Sequence, residues 1–226
     1  MIVKSGKLEV QPHIKNKILE FQPPLNTKEL QGFLGILNYV NNFYPNAGFD
    51  REPLQQLLTK RKPQWTPTHT EAVQKIQHKI QNLPILTVPT SEDFILYTDA
   101  SDVAWGGYLC FIKDQKEFIA EYTSGVFPAE VKKWISSDKE IYGVICCLKK
   151  FALKLMHLSK FIIRTDCTRF LTFKEKDHGR KDGRGKYVRW QAYLNQYNFE
   201  VQHIPGKENI VADYLSRHTP GMCWTS

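Results

Sequence analysis

The chain lacks long apolar segments. No apolar run approaches the roughly 20 residues that a membrane-spanning helix needs, and residues 1–20 alternate apolar side chains with Lys and Asn. This N-terminal pattern matches neither a membrane anchor nor a secretory signal. We therefore expect no membrane contact and an intracellular protein.

Two kinds of cofactor site are also missing. The 5 cysteines form no Cys-x-x-Cys pair, and their odd number argues against a disulfide framework or a zinc site. Residues 183–186 superficially suggest a phosphate loop, but the Walker pattern needs Gly where Arg180 stands and Ser or Thr where Tyr187 stands. We interpret the cysteines as buried free thiols and exclude nucleotide hydrolysis.

The charge of the chain is positive and unevenly distributed. The 226 residues suit one large domain or two small ones, 42% of them are apolar, and the formal net charge is +8. Up to residue 90 there are 11 Lys and Arg against 6 Asp and Glu, whereas the remainder holds 20 against 17. A basic surface of this kind favours the phosphate backbone of a nucleic acid as a partner.

Four acidic residues stand at the ends of predicted elements. Asp99 ends the apolar run 94–98, and Asp166 ends the similar run 160–165, so two neighbouring strands would bring both carboxylates together. Glu140 lies early in a helical pattern opened by residues 136–138, and Asp213 lies in a short amphipathic pattern near the C-terminus. For Asp99 alone, an Asp that simply ends a strand and hydrogen-bonds its own turn is the alternative.

Clustered carboxylates repel one another unless hard cations offset their charge. Two Mg²⁺ ions suit four acids, and such a pair clamps the attacking and leaving oxygens of a phosphodiester. The four acids therefore predict nuclease chemistry.

The motifs that hold these acids resemble the ribonuclease H domain of LTR-type retroelement reverse transcriptases, including the gypsy type. They occur in family order over residues 92–217 and comprise Tyr97-Thr98-Asp99-Ala100-Ser101, Asp138-Lys139-Glu140, Arg164-Thr165-Asp166, and the segment 203–217 with Asp213. Residues 188–194 resemble the plant pararetroviruses, the Caulimoviridae, and within them the tungro bacilliform type. The resemblance implies cleavage of the RNA strand of RNA/DNA hybrids with two Mg²⁺ ions, or Mn²⁺ as a substitute. It also implies Asp99 as the bridging ligand.

The segment before this domain is predicted to be mainly helical. Thr27 is expected to cap the first of the helices in residues 21–82, and prolines at 84 and 89 predict an extended joint. Residues 31–66 resemble the thumb and connection region of these polymerases, which grips the duplex. We predict phosphate contacts for four basic residues, namely Lys28, Lys60, Arg61 and Lys62.

The expected architecture is an α/β ribonuclease H-like mixed five-stranded sheet flanked by helices, preceded by the thumb and connection region. The predicted domains are 1–90 (end of palm and thumb or connection), 91–218 (ribonuclease H) and a tail, 219–226. Strands are expected at 94–99, 105–112, 117–123, 160–165 and 199–204, and helices at 134–155, 168–173, 187–197 and 208–217.

The polymerase site of this family carries an Asp-Asp pair, and the sequence has no such dipeptide. The resemblance therefore implies a C-terminal portion of a polyprotein without polymerase activity. Its partners would be the fingers and palm of the same enzyme. We expect a monomer, located in the host cytoplasm or the virus particle.

Several accessory positions have two interpretations. Gly106 marks either a close backbone approach to a ligand or a strand bulge. Ser136, Ser137 and Arg169 stand at substrate-gripping positions that are aromatic or amide residues in the retroviral enzymes, so the strand preference is expected to differ. Lys186 ends a charged loop that is either solvated or placed against a substrate strand. We interpret His203 as a structural residue at a strand end, with a catalytic role in product release as the alternative.

Two other functions compete with this one. A ribonuclease H-like connection module that binds nucleic acid without cleaving it would have lost its acids, but all four motif acids are present. A recombinase or integrase of the same fold superfamily would need another acid order and usually a zinc-binding domain.

Overall fold

The computed structural model describes residues 2–4, 6–44, 47–59, 64–173, 176 and 185–217. The phosphate contacts predicted at Lys60, Arg61 and Lys62 lie outside the described residues, as do the predicted tail and most of the loop before Lys186. None of the helices in these ranges has the length and apolar character needed to cross a membrane.

The first part of the chain combines a small antiparallel sheet with helices. Within the described ranges, its strands pair in the order β1-β2-β3. The elements are β1 (Ile2–Lys4), β2 (Lys7–Glu9), α1 (Pro12–Leu19), α2 (Thr27–Tyr39), a 3₁₀ turn (Asn41–Phe43), α3 (Ala47–Thr59), α4 (Pro67–Gln81) and β3 (Leu86–Thr87). The predicted extended joint is confirmed, because β3 lies within it. The strands are too short to give a recognisable alternation in the sequence.

The cap of α2 corrects a prediction. Asn26, not Thr27, is the capping residue, because its side-chain oxygen accepts a hydrogen bond from the Glu29 backbone N–H at 2.9 Å. The Glu29 carboxylate in turn accepts from the Leu25 backbone N–H at 2.8 Å. Asn and Thr both favour this position, so the sequence alone did not separate two adjacent candidates.

The second part is built on a mixed sheet, which confirms the predicted fold class. Within the described residues this sheet has five strands in the order β6-β5-β4-β7-β8. They are β4 (Phe94–Ala100), β5 (Ala104–Lys113), β6 (Lys116–Val126), β7 (Phe161–Thr165) and β8 (Phe199–His203). The β4–β5 and β5–β6 pairs are antiparallel, whereas β7 lies parallel to both β4 and β8. All five strands lie within a few residues of their predicted positions.

Helices cover both faces of this sheet. They are α5 (Ala129–Lys132), α6 (Ser136–Lys150), α7 (Ala152–Leu155), α8 (Thr168–Phe173), α9 (Gly185–Leu194), a 3₁₀ turn (Gly206–Glu208) and α10 (Ile210–Arg217). The predicted helix 134–155 begins later, because Ile135 is extended, and is interrupted at Phe151. Alternate β4 residues face opposite sides. Phe94 and Leu96 join the core under α6, while Ile95 and Tyr97 pack with Leu215 of α10.

The two parts of the chain pack against each other through α3 and β6. Gly48 of α3 lies so close to the β6 backbone that a Cβ atom there would meet the Gly125 Cα at 2.9 Å and the Ser124 carbonyl at 3.0 Å. Ile119 and Tyr122 of β6 pack onto the hydrophobic core of the first part. The domain boundary near residue 90 stays a prediction.

Candidate active site

Asp99 and Asp166 lie side by side at one edge of the sheet. In the parallel pair β4–β7, Leu96 is opposite Ile163 and Tyr97 is opposite Arg164. Two further steps along this register bring Asp99 level with Asp166, which directly follows β7. The predicted convergence of these two strand ends is therefore confirmed at the level of the backbone.

Glu140 comes from α6, one turn after the helix begins at Ser136. Gly143 of the same helix packs closely on this end of β4, since a Cβ atom there would lie 3.1 Å from the Ala100 Cβ. Residues three apart share a helix face, so Glu140 lies over the end of the sheet. Its carboxylate hydrogen-bonds the Cys167 thiol, next to Asp166, and burial first and this bond second raise the pKa of that thiol to about 12.

Lys139, the residue before Glu140, ties α6 to the turn that follows Asp99. Its ammonium lies 2.6 Å from a carboxylate oxygen of Asp102, and its side chain is only 7% exposed. This ion pair fixes the start of α6 relative to β4.

Asp213 comes from α10, which several contacts hold against β4 and β5. The buried Asn209 side chain donates to the Thr98 carbonyl at 2.9 Å, and the Ser101 hydroxyl donates to the Ser216 carbonyl at 2.7 Å. The Ser216 hydroxyl donates to the Asp99 carboxylate. Asn209 and Ser216 both lie in the C-terminal motif, but no sequence pattern indicates that they position Asp99 and Asp213.

Gly106 allows α10 to lie where it does. It is paired with Asp99 in the β4–β5 ladder. A Cβ atom on Gly106 would meet the Leu215 Cβ at 2.4 Å and the Ser216 backbone nitrogen at 2.8 Å. The close backbone approach at Gly106 is therefore to α10, and contact of this residue with nucleic acid stays a prediction. The irregularity of β5 lies elsewhere, between Leu109 and Cys110.

The acids influence one another electrostatically. Burial, followed by the charges of Asp166 and Asp213, raises the pKa of Asp99 to about 6, although the Ser216 hydrogen bond opposes the rise. Burial and then the charges of Glu140 and Asp213 raise the pKa of Asp166. The four acids thus form one interacting group, and each ionised member disfavours the ionisation of its neighbours.

Protein donors hold three of these carboxylates. Ser216 donates to Asp99, Arg217 pairs with Asp213, and the Ser136 hydroxyl lies 3.3 Å from a Glu140 oxygen. Among the described residues, no three His, Cys, Asp or Glu side chains lie close enough together to hold a metal ion as they stand. The expectation that the four acids meet at a single point is therefore corrected: their elements converge and their charges interact, but no three of these side chains stand at metal-binding distances.

Comparison with known proteins identifies the domain that contains this sheet. Residues 89–197 match the family described as the RNase H-like domain found in reverse transcriptase. The chain carries a reverse-transcriptase ribonuclease H-like domain.

Its curated relatives include plant viral polyproteins. The chain is 40% identical over 222 residues to the enzymatic polyprotein of cauliflower mosaic virus (strain NY8153), which covers 95% of this chain and 32% of the relative. It is 37% identical over 212 residues to the enzymatic polyprotein of carnation etched ring virus, covering 92% and 32%. The chain thus spans about a third of the length of these relatives. The predicted kinship with the Caulimoviridae is confirmed, while the tungro bacilliform type stays a prediction.

Solved structures show the same fold at low sequence identity. The foamy viral protease-reverse transcriptase in complex with dsDNA has a TM-score of 0.73 and 19% identity, covering 90% of this chain and 44% of that one. The same kind of protein in complex with an RNA/DNA hybrid has a TM-score of 0.70 and 20% identity, covering 85% and 27%.

His203 lies beside the acids of this ribonuclease H-like domain. It ends β8 opposite Thr165, the residue before Asp166, and it is exposed. Burial and the charge of Glu140 raise the pKa of Asp166, whereas the nearby His203 lowers it. The strand-end position is as predicted, and a role in product release stays a hypothesis.

A fifth acid of the ribonuclease H-like domain, Asp138, was named in the sequence only as part of a motif and of the start of a helix, with no role of its own. It is buried in the first turn of α6 and accepts hydrogen bonds from Arg169 at 3.0 Å, Lys186 at 2.6 Å and Tyr187 at 2.7 Å. Burial alone would raise the pKa of Asp138, but the bonds from Lys186 and Tyr187 outweigh it and lower the pKa. The Lys186 ammonium also lies 4.2 Å from the centre of the Trp134 ring.

Some of the residues predicted to contact nucleic acid already have partners in this network. Arg169 and Lys186 are committed to Asp138, although their side chains remain 34% and 25% exposed. Ser137 accepts a hydrogen bond from Arg169 at 2.8 Å. Ser136 and Lys28 are exposed. Contact of these residues with nucleic acid stays a prediction.

Replacing Asp138 by Asn is expected to destabilise the domain. The change leaves Arg169 and Lys186 without their anion, and since both are partly exposed we expect a loss of about 2 kcal/mol, below the roughly 3–5 kcal/mol of a fully buried pair. An acid whose pKa is lower in the folded state stabilises that state fully when the pH is above the pKa of the unfolded chain. This stabilisation is lost as the pH falls through the pKa of the folded state. In urea unfolding, the difference in the free energy of unfolding between Asp138→Asn and the unaltered chain should therefore be large at pH 7 and shrink toward about pH 3.

Asp93→Asn is the matched control, because Asp93 is exposed at the entry to β4. Its unfolding midpoint should equal that of the unaltered chain. Equal midpoints for the two variants at pH 7 would contradict a stabilising role for the Asp138 network.

Proposed function

We propose that the chain is a metal-dependent endonuclease that hydrolyses the RNA strand of RNA/DNA hybrids, as the ribonuclease H part of a viral reverse transcriptase polyprotein. The observation that carries this proposal is the placement of four acids from four separate elements at one edge of a reverse-transcriptase ribonuclease H-like sheet. Asp99 is the penultimate residue of β4, Asp166 follows β7, Glu140 lies on α6 and Asp213 on α10.

The donor set fits hard divalent cations. Carboxylate oxygens are the ligands that Mg²⁺ prefers. Burial and then mutual repulsion raise the pKa values of Asp99 and Asp166, and a cation would relieve the repulsion. Asp99 would contribute to holding both ions, Glu140 and Asp166 would hold one of them with it, and Asp213 would complete the site of the other. Mn²⁺ is expected to substitute.

When bound, a pair of such ions supplies an activated water and stabilises charge on the phosphodiester oxygens. The residues of the chain orient the acids for this chemistry. Ser216 holds one oxygen of Asp99, and the backbone at Gly206 lies against Asp166, since a Cβ atom there would be 3.0 Å from a carboxylate oxygen. The elements that carry the acids are therefore fixed before substrate arrives.

Selection of the RNA strand would depend on its 2′-hydroxyl groups, which line the wide minor groove of a hybrid. Ser136 and Ser137, at the start of α6 beside Glu140, offer hydroxyls for such contacts. Lys28 and the basic residues 60–62 would bind the phosphate backbone farther along the duplex. DNA duplexes lack the 2′-hydroxyl and should not be cut.

The remaining partners follow from the length of the relatives. Since the chain spans about a third of them, we propose that it works with the fingers and palm of the same reverse transcriptase. We propose the host cytoplasm or the virus particle as its location and a monomer as its oligomeric state.

A three-substrate assay tests the function. The purified chain is incubated with a labelled RNA/DNA hybrid, an RNA duplex or a DNA duplex, with Mg²⁺ or with a chelator, while binding to each is measured in parallel. We expect cleavage of the hybrid RNA strand alone, and only with the metal.

The other outcomes identify the competing functions. Binding of the hybrid without cleavage would indicate a silent connection module. Cutting or strand joining of the DNA duplex would indicate a recombinase or integrase. Cleavage that persists in chelator would contradict the metal site.

A further inference from the structure

Arg217 lies at the edge of the acidic group and is not among the residues assigned above. It ends α10, one helical turn after Asp213, and its Nε pairs with a carboxylate oxygen of Asp213. The Arg217 side chain is 57% exposed and that of Asp213 is 40% exposed. The pair is therefore accessible to ions from solvent.

The charge of Arg217 reaches beyond its partner. The hydrogen bond to Asp213, followed by the charges of Asp213, Asp99 and Asp166, raises the pKa of the guanidinium, although burial opposes the rise. Arg217 in turn lowers the pKa of Asp99 against the larger effect of burial. Three of the four acids thus interact with this one cation.

The neighbouring cation is committed elsewhere. The Lys139 ammonium, on the element that carries Glu140, is paired with Asp102 at 2.6 Å. Arg217 is thus a cation that pairs directly with one of the four acids, and it occupies the carboxylate assigned to complete the second ion.

We propose that Arg217 is a positioning residue that holds the Asp213 carboxylate in the metal-free chain and competes with a divalent cation for it. The inference depends on the metal site of the proposed function. A cation that uses Asp213 must displace the guanidinium, and the positive charge nearby opposes its entry. The second ion is therefore expected to bind more weakly than an unpaired carboxylate would allow.

The test is a calorimetric titration of Mn²⁺ into the full chain without nucleic acid. Replacing Arg217 by Gln removes the charge and the competitor, so the weaker Mn²⁺ binding should tighten by about three- to fivefold, the upper part of the range for a partly exposed ion pair. Arg217→Lys keeps the charge and should stay within about twofold of the unaltered chain. Circular dichroism and thermal unfolding check that the variants are folded.

Arg189→Gln is the matched control, because it removes the same charge from an exposed position on α9. It should leave Mn²⁺ binding unchanged. If Arg189→Gln tightened Mn²⁺ binding as much as Arg217→Gln, the effect would come from the net charge of the chain, and the proposal would be overturned.

Two further results separate this inference from the function on which it depends. Unchanged Mn²⁺ binding in Arg217→Gln, with or without weaker hybrid binding, overturns the role of Arg217 and leaves the metal site standing. Failure of the unaltered chain to bind Mn²⁺ at all overturns the metal site itself, and this inference with it.

Discussion

Replacing Asp99 by Asn should reduce Mg²⁺-dependent cleavage of the RNA/DNA hybrid by at least about a thousandfold, because the carboxylate proposed to hold both ions would be lost. Asn has the same shape but no charge, and its amide still fits beside Ser216. Glu140→Gln should have an effect of the same order. The measurement is the initial rate of hybrid cleavage at saturating Mg²⁺.

The same variant should not weaken the fold in the absence of metal. Burial and the neighbouring acids raise the pKa of Asp99 to about 6, so at neutral pH its ionisation costs the folded state free energy. This free-energy cost of ionising Asp99 appears as the pH rises from its pKa in the unfolded chain to its pKa of about 6 in the folded chain. In chelator at pH 7, the Asn variant should therefore unfold at an equal or higher temperature, while its activity is lost.

Asp93→Asn provides the control for Asp99→Asn, because it makes the same change at an exposed residue at the entry to β4. It should retain full cleavage. Retained Mg²⁺-dependent activity in either Asp99→Asn or Glu140→Gln would refute the assignment of the site.

The second large effect is expected from Gly106→Ala. The added methyl would lie 2.4 Å from the Leu215 Cβ and 2.6 Å from the Leu215 carbonyl carbon, and the backbone of α10 cannot give way as a flexible side chain would. We expect a loss of about 1–3 kcal/mol in the free energy of unfolding, as for other overpacked cores. Cleavage should fall further than stability alone explains, because α10 carries Asp213. The free energy of unfolding and the rate of cleavage are both measured at a temperature where the variant remains folded.

Gly35→Ala is the matched control. Gly35 lies in α2 with no heavy atom within 4 Å of the added Cβ, and Ala is the better helix former, so stability should rise by up to about 1 kcal/mol. If Gly106→Ala were as stable and active as Gly35→Ala, the close packing of α10 on β5 would be refuted.

The elements around the site were predictable because their signals are local. The apolar runs that lead to Asp99 and Asp166 are strands, and the two serines and Asp138 begin a helix as expected. Local signals also explain the wrong cap predicted for α2 and the two interpretations of Gly106. Asn26 and Thr27 are both good caps, and Gly106 has the same sequence signature whether it approaches a ligand, a bulge or another helix.

Pairings between distant residues were not predictable in the same way. Asp138 receives Lys186 from 48 positions away, and Ser216 reaches Asp99 across 117 positions. No periodicity in a sequence encodes such pairings. They depend on how α6, α9 and α10 pack on the sheet.

The order and spacing of the motifs were enough to predict the family and the mixed sheet and to name four candidate acids, because each depends on residue identity and short-range pattern. The tertiary structure decided which charged groups remain available. It commits Arg169 and Lys186 to Asp138 and Arg217 to Asp213, and it places α10 over Gly106. The physical reason is that an ion pair or a close contact is set by distance in space, which the chain fixes only after its helices have packed on the sheet.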